Sequence, residues 1–89
     1  MKAHELKTWP EYFTSIDLGL KNFEIRENDR GFDEGDLLVL KEWNPHTKAY
    51  TGRIITAVVT FLLDDLSGFL KEGYVALGIC VLVHADLSV

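Results

Sequence analysis

The sequence predicts a small α+β domain, mainly β, in which about five strands form a barrel or strongly curved sheet and one helix, about residues 10–19, flanks it. One segment near the N-terminus carries apolar residues at helical spacing, whereas the later apolar segments alternate or are rich in β-branched residues. The 89 residues are enough for one domain and too few for two, so a single domain is placed at residues 1–89.

The first strand and the helix lie in the N-terminal quarter. "AHELKT" has the length of a short strand, and "TWPEYFTSIDLGL" is typical of a helix. Thr8 is predicted to cap this helix, with Glu11 closing a capping box, and Pro10 suits the first turn. Gly19 is predicted to end the helix, because glycine readily takes the left-handed conformation found there. Three residues at helical spacing form the predicted apolar face: Tyr12, Phe13 and Ile16.

Four further strands follow, separated by turn-rich segments. "NFEIRE" has period two, which places Phe23 and Ile25 on one face and Glu24 and Arg26 on the other. "DLLVLKEW", "RIITAVVTFLL" and "YVALGICVLVH" give the remaining strands, and Gly78 in the last predicts a bulge or tight bend. The single cysteine, Cys80, lies in an apolar run and is predicted to be a buried structural thiol.

The charge balance limits the classes of function. With 14 acidic and 9 basic residues the formal charge is −5, which argues against tight non-specific binding along a nucleic acid backbone but allows a local cationic cleft. The histidines have no metal-ligand spacing, so no metal or cofactor is predicted. The N-terminus has no apolar signal region and no apolar run is long enough to span a bilayer, so we expect a cytoplasmic protein away from membranes.

Three charged residues in "GLKNFEIREND" are the first candidates for a site. Glu24 and Arg26 share a strand face, which on periodicity alone favours a surface ion pair contributing under about 1 kcal/mol. Lys21 lies where helix and strand meet, a common position for ligand contacts. Other cationic and aromatic residues are candidates for the same nucleotide cleft: Lys7, Trp9, Trp43, Tyr50 and Arg53. The alternative is that the two tryptophans only cover the core.

The spacing G-x-K-x-x-E-x-R at Gly19, Lys21, Glu24 and Arg26, followed by "GD" at residues 35–36, resembles the ASCH family, which has a PUA-like fold. The longer string from "HELKTWPEYF" to "LKEGYVALG", roughly residues 4–80, is similar to a small bacterial and phage branch described as a domain of unknown function. The resemblance implies a pseudo-β-barrel with a flanking helix and a cleft that binds RNA or a nucleotide.

The resemblance also implies roles for the residues of the cleft. Lys21 and Arg26 would contact phosphate, and Glu24 would orient Lys21 or accept a hydrogen bond from a base or ribose. The predicted nucleic-acid-binding residues are therefore these: Lys7, Trp9, Lys21, Glu24, Arg26 and Arg53.

Two other functions remain open. A relative in the same superfamily is an acetylcytidine amidohydrolase that uses a lysine, a threonine and a glutamate. If this chain is a hydrolase, Lys21 and Glu24 are its catalytic residues, although Glu24 stands where that enzyme has threonine. Glu72 is the nearest candidate for the enzyme's glutamate. The third function is a protein-interaction module with an exposed aromatic patch at Trp43 and Tyr50.

Overall fold

The computed structural model describes residues 1–88 and has the predicted α+β order, with one helix and five strands. The strands are β1 (Ala3–Thr8), β2 (Phe23–Glu27), β3 (Leu37–Asn44), β4 (Ala49–Leu63) and β5 (Tyr74–Asp86). The helix α1 spans Pro10–Asp17, and a short 3₁₀ turn at Asp65–Ser67 precedes β5. The predicted mainly β architecture is confirmed.

The five strands form one sheet in the order β1-β3-β4-β5-β2, curled into a half-barrel. β1 runs parallel to β3, and the other neighbouring strands are antiparallel. The edge strands β1 and β2 meet across the open side through the Arg26 side chain, whose Nη2 donates to the Lys7 carbonyl at 2.9 Å. Arg30, in the loop after β2, donates to the Glu5 carbonyl. Because these carbonyls are two residues apart, they face the same edge of β1.

The core lies on the inner face of the curled sheet, beneath α1. The helix contributes two fully buried side chains, Phe13 and Ile16, whereas Tyr12 is half exposed and lies outside the core. The sheet and the loop before β3 supply the other buried apolar residues: Leu6, Phe32, Leu38, Leu40, Ile55, Ala57, Val59, Val75, Leu77 and Ile79.

The predicted capping box is wrong. The N-cap residue is Trp9, and among the described residues no side chain caps the helix; Thr8 instead belongs to β1 with its side chain turned inward. The predicted glycine stop is confirmed, although α1 ends at Asp17 rather than near residue 19. Gly19 has φ +76° and donates to the Ile16 carbonyl at 3.0 Å, while Leu20 donates to the Ser15 carbonyl at 2.9 Å. This is the Schellman arrangement of a helix C-terminus.

The strand β4 begins at Ala49, four residues before the predicted start. The side chain of Asn44 accepts hydrogen bonds from the backbone of His46 and Thr47, which compacts the turn and lets Ala49 pair with Asn44. The bulge predicted at Gly78 is confirmed, because the β4–β5 register shifts between Val59 and Phe61, opposite this glycine.

The prediction of a buried Cys80 is wrong, since the thiol is exposed. Along β5 the buried residues alternate up to Ile79, which turns Cys80 to the outer face of the sheet. Beyond this residue the strand pairs with the first part of β4 and extends past the core. The apolar run that contains Cys80 therefore indicates a long strand that has one exposed face, not a strand that is buried on both faces.

Candidate functional site

The strand β2 presents its polar face to the interior. Glu24 is only 4% exposed, whereas Phe23 and Ile25 are 45% and 53% exposed. In a sheet with one solvated face the apolar residues of a strand normally point inward, so this strand has the reverse orientation. The interpretation of Glu24 and Arg26 as a surface ion pair is therefore wrong. The Glu24 carboxylate is buried, and Glu24 pairs across the strands with Leu77, a residue of the core.

Two cations hold the buried carboxylate. The Lys21 Nζ donates to Glu24 Oε1 at 2.7 Å and to the Phe23 carbonyl at 2.7 Å. The Arg26 Nε donates to Glu24 Oε2 at 2.9 Å. Each carboxylate oxygen thus has its own charged donor, which offsets the desolvation of Glu24.

The helix C-terminus sets the position of Lys21. After the turn at Gly19, the Lys21 backbone N–H donates to the Ser15 carbonyl at 3.0 Å, so the residue stays fixed to the end of α1. Its ammonium group then lies 4.9 Å from the centre of the Phe23 ring and 5.7 Å from that of Tyr12. These distances allow cation–π attraction, which adds to the hydrogen bonds in fixing the side chain.

The charged residues line a concavity of about 630 Å³ between the two edge strands and the start of α1. This volume lies within the range of about 300–1,000 Å³ usual for small-molecule sites. Its formal charge is +2, from three cations and one carboxylate, although the whole chain carries −5. Nine of the described residues line it: Lys7, Thr8, Trp9, Tyr12, Lys21, Phe23, Glu24, Ile25 and Arg26.

The structure brings together five of the six residues predicted to bind nucleic acid, and the sixth, Arg53, does not line the concavity. Arg53 lies beside the C-terminal end of α1, where its Nη1 is 3.4 Å from Glu42 Oε2 and its Nη2 is 3.2 Å from Asp17 Oδ2. Its guanidinium also covers the Phe13 ring at 4.7 Å. This residue borders a second, smaller depression of about 250 Å³.

The aromatic pair Trp43 and Tyr50 lies beside the concavity and not inside it. Their rings pack edge to face at 4.9 Å, and the Lys7 Nζ lies 3.9 Å above the Trp43 ring. Lys7 therefore links the rim of the concavity to this patch. Glu72 is exposed in the loop before β5 and is not among the lining residues.

The sequence model of the domain of unknown function DUF3850 matches residues 3–79, which include every residue of the concavity. The chain belongs to the DUF3850 family. It is also 41% identical over 71 residues to an uncharacterized 12.9 kDa protein in the GpA 3′ region of Escherichia phage P2. That alignment covers 80% of this chain and 62% of the phage protein.

Sequence reasoning missed four lining residues of this DUF3850 domain: Thr8, Tyr12, Phe23 and Ile25. Thr8 was predicted to cap α1, and Tyr12 to pack in the core. Phe23 and Ile25 alternate with charged residues, and alternation alone does not tell which face of a strand points inward. One sequence feature could have pointed to them: in "GLKNFEIR" two cations lie next to two large apolar residues, Phe23 and Ile25.

The "GD" segment of the DUF3850 domain has a structural role. Asp36 is buried and accepts from the His4 ring at 2.9 Å and from the Lys2 and Asp33 backbone, both at 3.0 Å. The His4 hydrogen bond, followed by that from Lys2, lowers the pKa of Asp36 to about 2. The pair therefore ties the start of β1 to the start of β3.

Within residues 1–88 of the DUF3850 domain, no three histidine, cysteine or acidic side chains cluster as metal ligands would. In the same part of the chain, no helix has the length and apolar character needed to cross a membrane.

Proposed function

We propose that this chain binds RNA or a nucleotide in the concavity around Lys21, Glu24 and Arg26. The observation that carries the proposal is the reversed strand β2, which buries a carboxylate and leaves Phe23 and Ile25 exposed. A buried ion pair is often no more stable than apolar residues of the same volume. Where local sequence rules are broken in this way, function is the usual reason.

The chemistry of the lining suits a nucleotide. Cationic side chains contact phosphate, and the half-exposed rings of Trp9 and Tyr12 offer faces on which bases stack. The concavity carries +2 in a chain whose formal charge is −5, and its three cations allow only a few phosphate contacts, so the dependence of affinity on salt is expected to be shallow.

We further propose that the DUF3850 family is a branch of the ASCH family with a PUA-like fold. Support comes from the G-x-K-x-x-E-x-R segment, whose charged side chains converge on one concavity of a curled five-stranded sheet. Gly19 lies in the turn that orients Lys21 and has a positive φ there, which explains physically why the pattern begins with glycine.

The test is a nuclear magnetic resonance titration of ¹⁵N-labelled protein with short RNAs, the ribonucleoside monophosphates and acetylcytidine. We expect shifts clustered at residues 7–12 and 19–26. The double variant Lys21→Ala and Arg26→Ala removes both charged partners of Glu24, so its fold is first checked from the dispersion of its own spectrum; it should then lose these shifts, while Lys71→Ala, a cation outside the concavity, should keep them. Unchanged affinity in the double variant would refute the proposed site. Flat spectra for the wild type with every ligand would refute nucleotide binding and favour a protein partner at Trp43 and Tyr50.

A second candidate is a hydrolase acting on RNA or a modified nucleoside, favoured by the 2.7 Å contact between Lys21 and Glu24. An ammonium group held by a carboxylate can polarise a substrate oxygen or donate a proton to a leaving group. Against this, Glu72 lies outside the concavity, and Glu24 is the one carboxylate among the described lining residues. Product formed from acetylcytidine or labelled RNA, and lost in Lys21→Ala and Glu24→Gln, would establish the hydrolase; absence of turnover across a panel of modified nucleosides would exclude it.

A further inference from the structure

Thr8 carries a buried hydroxyl that has no hydrogen-bond partner in the part of the chain that the structure describes. The residue is 2% exposed, and within residues 1–88 its Oγ1 is the one buried side-chain nitrogen or oxygen atom left without a partner. The other buried polar residues all have partners: His4, Glu24, Asp36 and Glu42. A buried polar group without a partner lowers stability, so in a native structure it calls for an explanation.

The fold does not supply that explanation. Thr8 is the last residue of β1, and the helix that follows is not capped by its side chain. Valine has nearly the same shape and would fill the position without an unsatisfied oxygen. The chain also contains a matched threonine whose hydroxyl is used, because Thr51 Oγ1 donates to Glu42 Oε1 at 2.7 Å.

The place of the hydroxyl indicates what it can bind. Thr8 lines the concavity between Lys7, which is exposed at the rim, and Trp9. At the buried end stands the Glu24 carboxylate, whose oxygens are both engaged by cations. Lys21 and Arg26 at this end already donate to Glu24 and to backbone carbonyls, so a phosphate pushed there would lose its hydration with few free charged donors to replace it, which is unfavourable. The neutral edge of a base meets no such penalty.

We propose that the nucleotide enters the concavity base first, with the Thr8 hydroxyl hydrogen-bonded to the base edge and the phosphate at Lys7. This inference rests on the proposed function and names the orientation of the ligand and a residue that discriminates between bases. A hydroxyl both donates and accepts, so it can pair with a carbonyl or an amino group of a base. Because the oxygen is closed off from solvent, the lining must shift outward as the base enters.

The experiment compares Thr8→Val, Thr8→Ser and the control Thr51→Val, using the ribonucleoside 5′-monophosphates and, as a probe without a base, ribose 5-phosphate. Thr8→Val should raise the melting temperature by about 4 °C or more, since it removes an unsatisfied buried group. It should weaken binding of at least one monophosphate about tenfold, the usual scale for one lost hydrogen bond, and leave ribose 5-phosphate unchanged. Thr8→Ser should keep the wild-type ranking of the bases. Thr51→Val should lower the melting temperature and leave every affinity unchanged.

The outcomes separate this inference from the function on which it rests. If the wild type binds monophosphates and Thr8→Val binds them all equally well, the base contact is refuted and the proposed function stands. If Thr8→Val weakens ribose 5-phosphate as much as the nucleotides, the base-first orientation is refuted. A fall in the melting temperature of Thr8→Val would show that the hydroxyl is already partnered and would also overturn the inference. If the wild type binds no probe, the proposed function and the inference fall together.

Discussion

Replacing Glu24 by glutamine separates the functional from the structural role of the buried carboxylate. Glutamine keeps the shape of the side chain but offers one acceptor oxygen and one NH₂ group. Only one of the two cations, Lys21 or Arg26, can then donate a hydrogen bond to the side chain, and the other cation faces the NH₂ group, which is itself a donor. Glu42 supplies a matched control, because it is also 4% exposed and pairs with an arginine, Arg53, outside the concavity.

The loss of stability follows from burial. Removing one partner of a fully buried ion pair costs about 3–5 kcal/mol. The side chains of Lys21 and Arg26 keep 19% and 27% of their exposure, so solvent reaches both cations and a smaller loss of about 2 kcal/mol is expected for Glu24→Gln. In a domain of this size that lowers the melting temperature by about 8–16 °C. Glu42→Gln should lower it by a similar or smaller amount, since the contact between Glu42 and Arg53 is longer, at 3.4 Å.

The effect on binding is a balance of two terms. Loss of the carboxylate raises the local charge from +2 to +3, which favours an anionic ligand by about 0.8 kcal/mol for a charge 5 Å away in water. Loss of one positioned, charged hydrogen-bond donor costs about 1.5–3 kcal/mol. The second term is larger, so nucleotide affinity should fall by about 1 kcal/mol, or roughly fivefold.

The assay is calorimetric titration with a monophosphate that binds the wild type, together with thermal unfolding of both variants. Glu24→Gln should lose stability and affinity, and Glu42→Gln should lose stability alone. Equal loss of affinity in the two variants would mean that binding reports only general loosening of the domain, and the assignment of the concavity would be refuted. Affinity retained in Glu24→Gln would refute the argument that the carboxylate positions the cations.

Three further predictions test other parts of the molecule. Gly19→Ala should lower the free energy of unfolding by about 1–2 kcal/mol, because φ is +76°; nothing lies within 4 Å of the added Cβ, so the cost is one of backbone conformation alone. It should also weaken nucleotide binding by displacing Lys21. Unfolding curves and titrations measure the two effects, and no change in either would contradict the role of the turn. The folded-state pKa of Asp36, about 2, lies below the ordinary 3.8, so its contribution to stability is complete above pH 3.8 and is lost as the pH falls toward 2. In acid unfolding curves, the difference in stability between the wild type and Asp36→Asn should therefore disappear over that window. A difference that persists at pH 2 would contradict the assignment. Cys80 should react with a thiol reagent in the folded protein without prior unfolding, whereas protection until the domain unfolds would contradict its exposed position.

Much of the fold was predictable because each element follows a local rule. The helix has one glycine stop, the strands have period two, and Gly78 marks the bulge at which β4 and β5 change register. The wrong capping box arose where two local rules compete for one residue. Thr8 satisfies a capping pattern and also ends a strand, and the strand determines its position.

The candidate site was predictable in composition but not in orientation. The charges of "GLKNFEIREND" identify the segment, and the ASCH-like spacing predicts a cleft there. Alternation does not tell whether Glu24 or Phe23 points inward, since a shift of one residue reverses the faces. The choice depends on the pairing of β2 with β5 and on the approach of Arg26 to β1, which are contacts between residues distant in sequence.

The place of the concavity follows from the way the half-barrel fails to close. β2 has a backbone partner on one side, β5, and on its other side it faces β1 without a ladder of backbone hydrogen bonds. Arg26 spans this gap by donating to the Lys7 carbonyl and to Glu24 at the same time. The open edge thus supplies both the space for a ligand and unpaired backbone groups for cationic side chains to bind. A strand paired on both sides would need its inner face for core packing, whereas this edge strand can turn its charged residues inward toward the concavity.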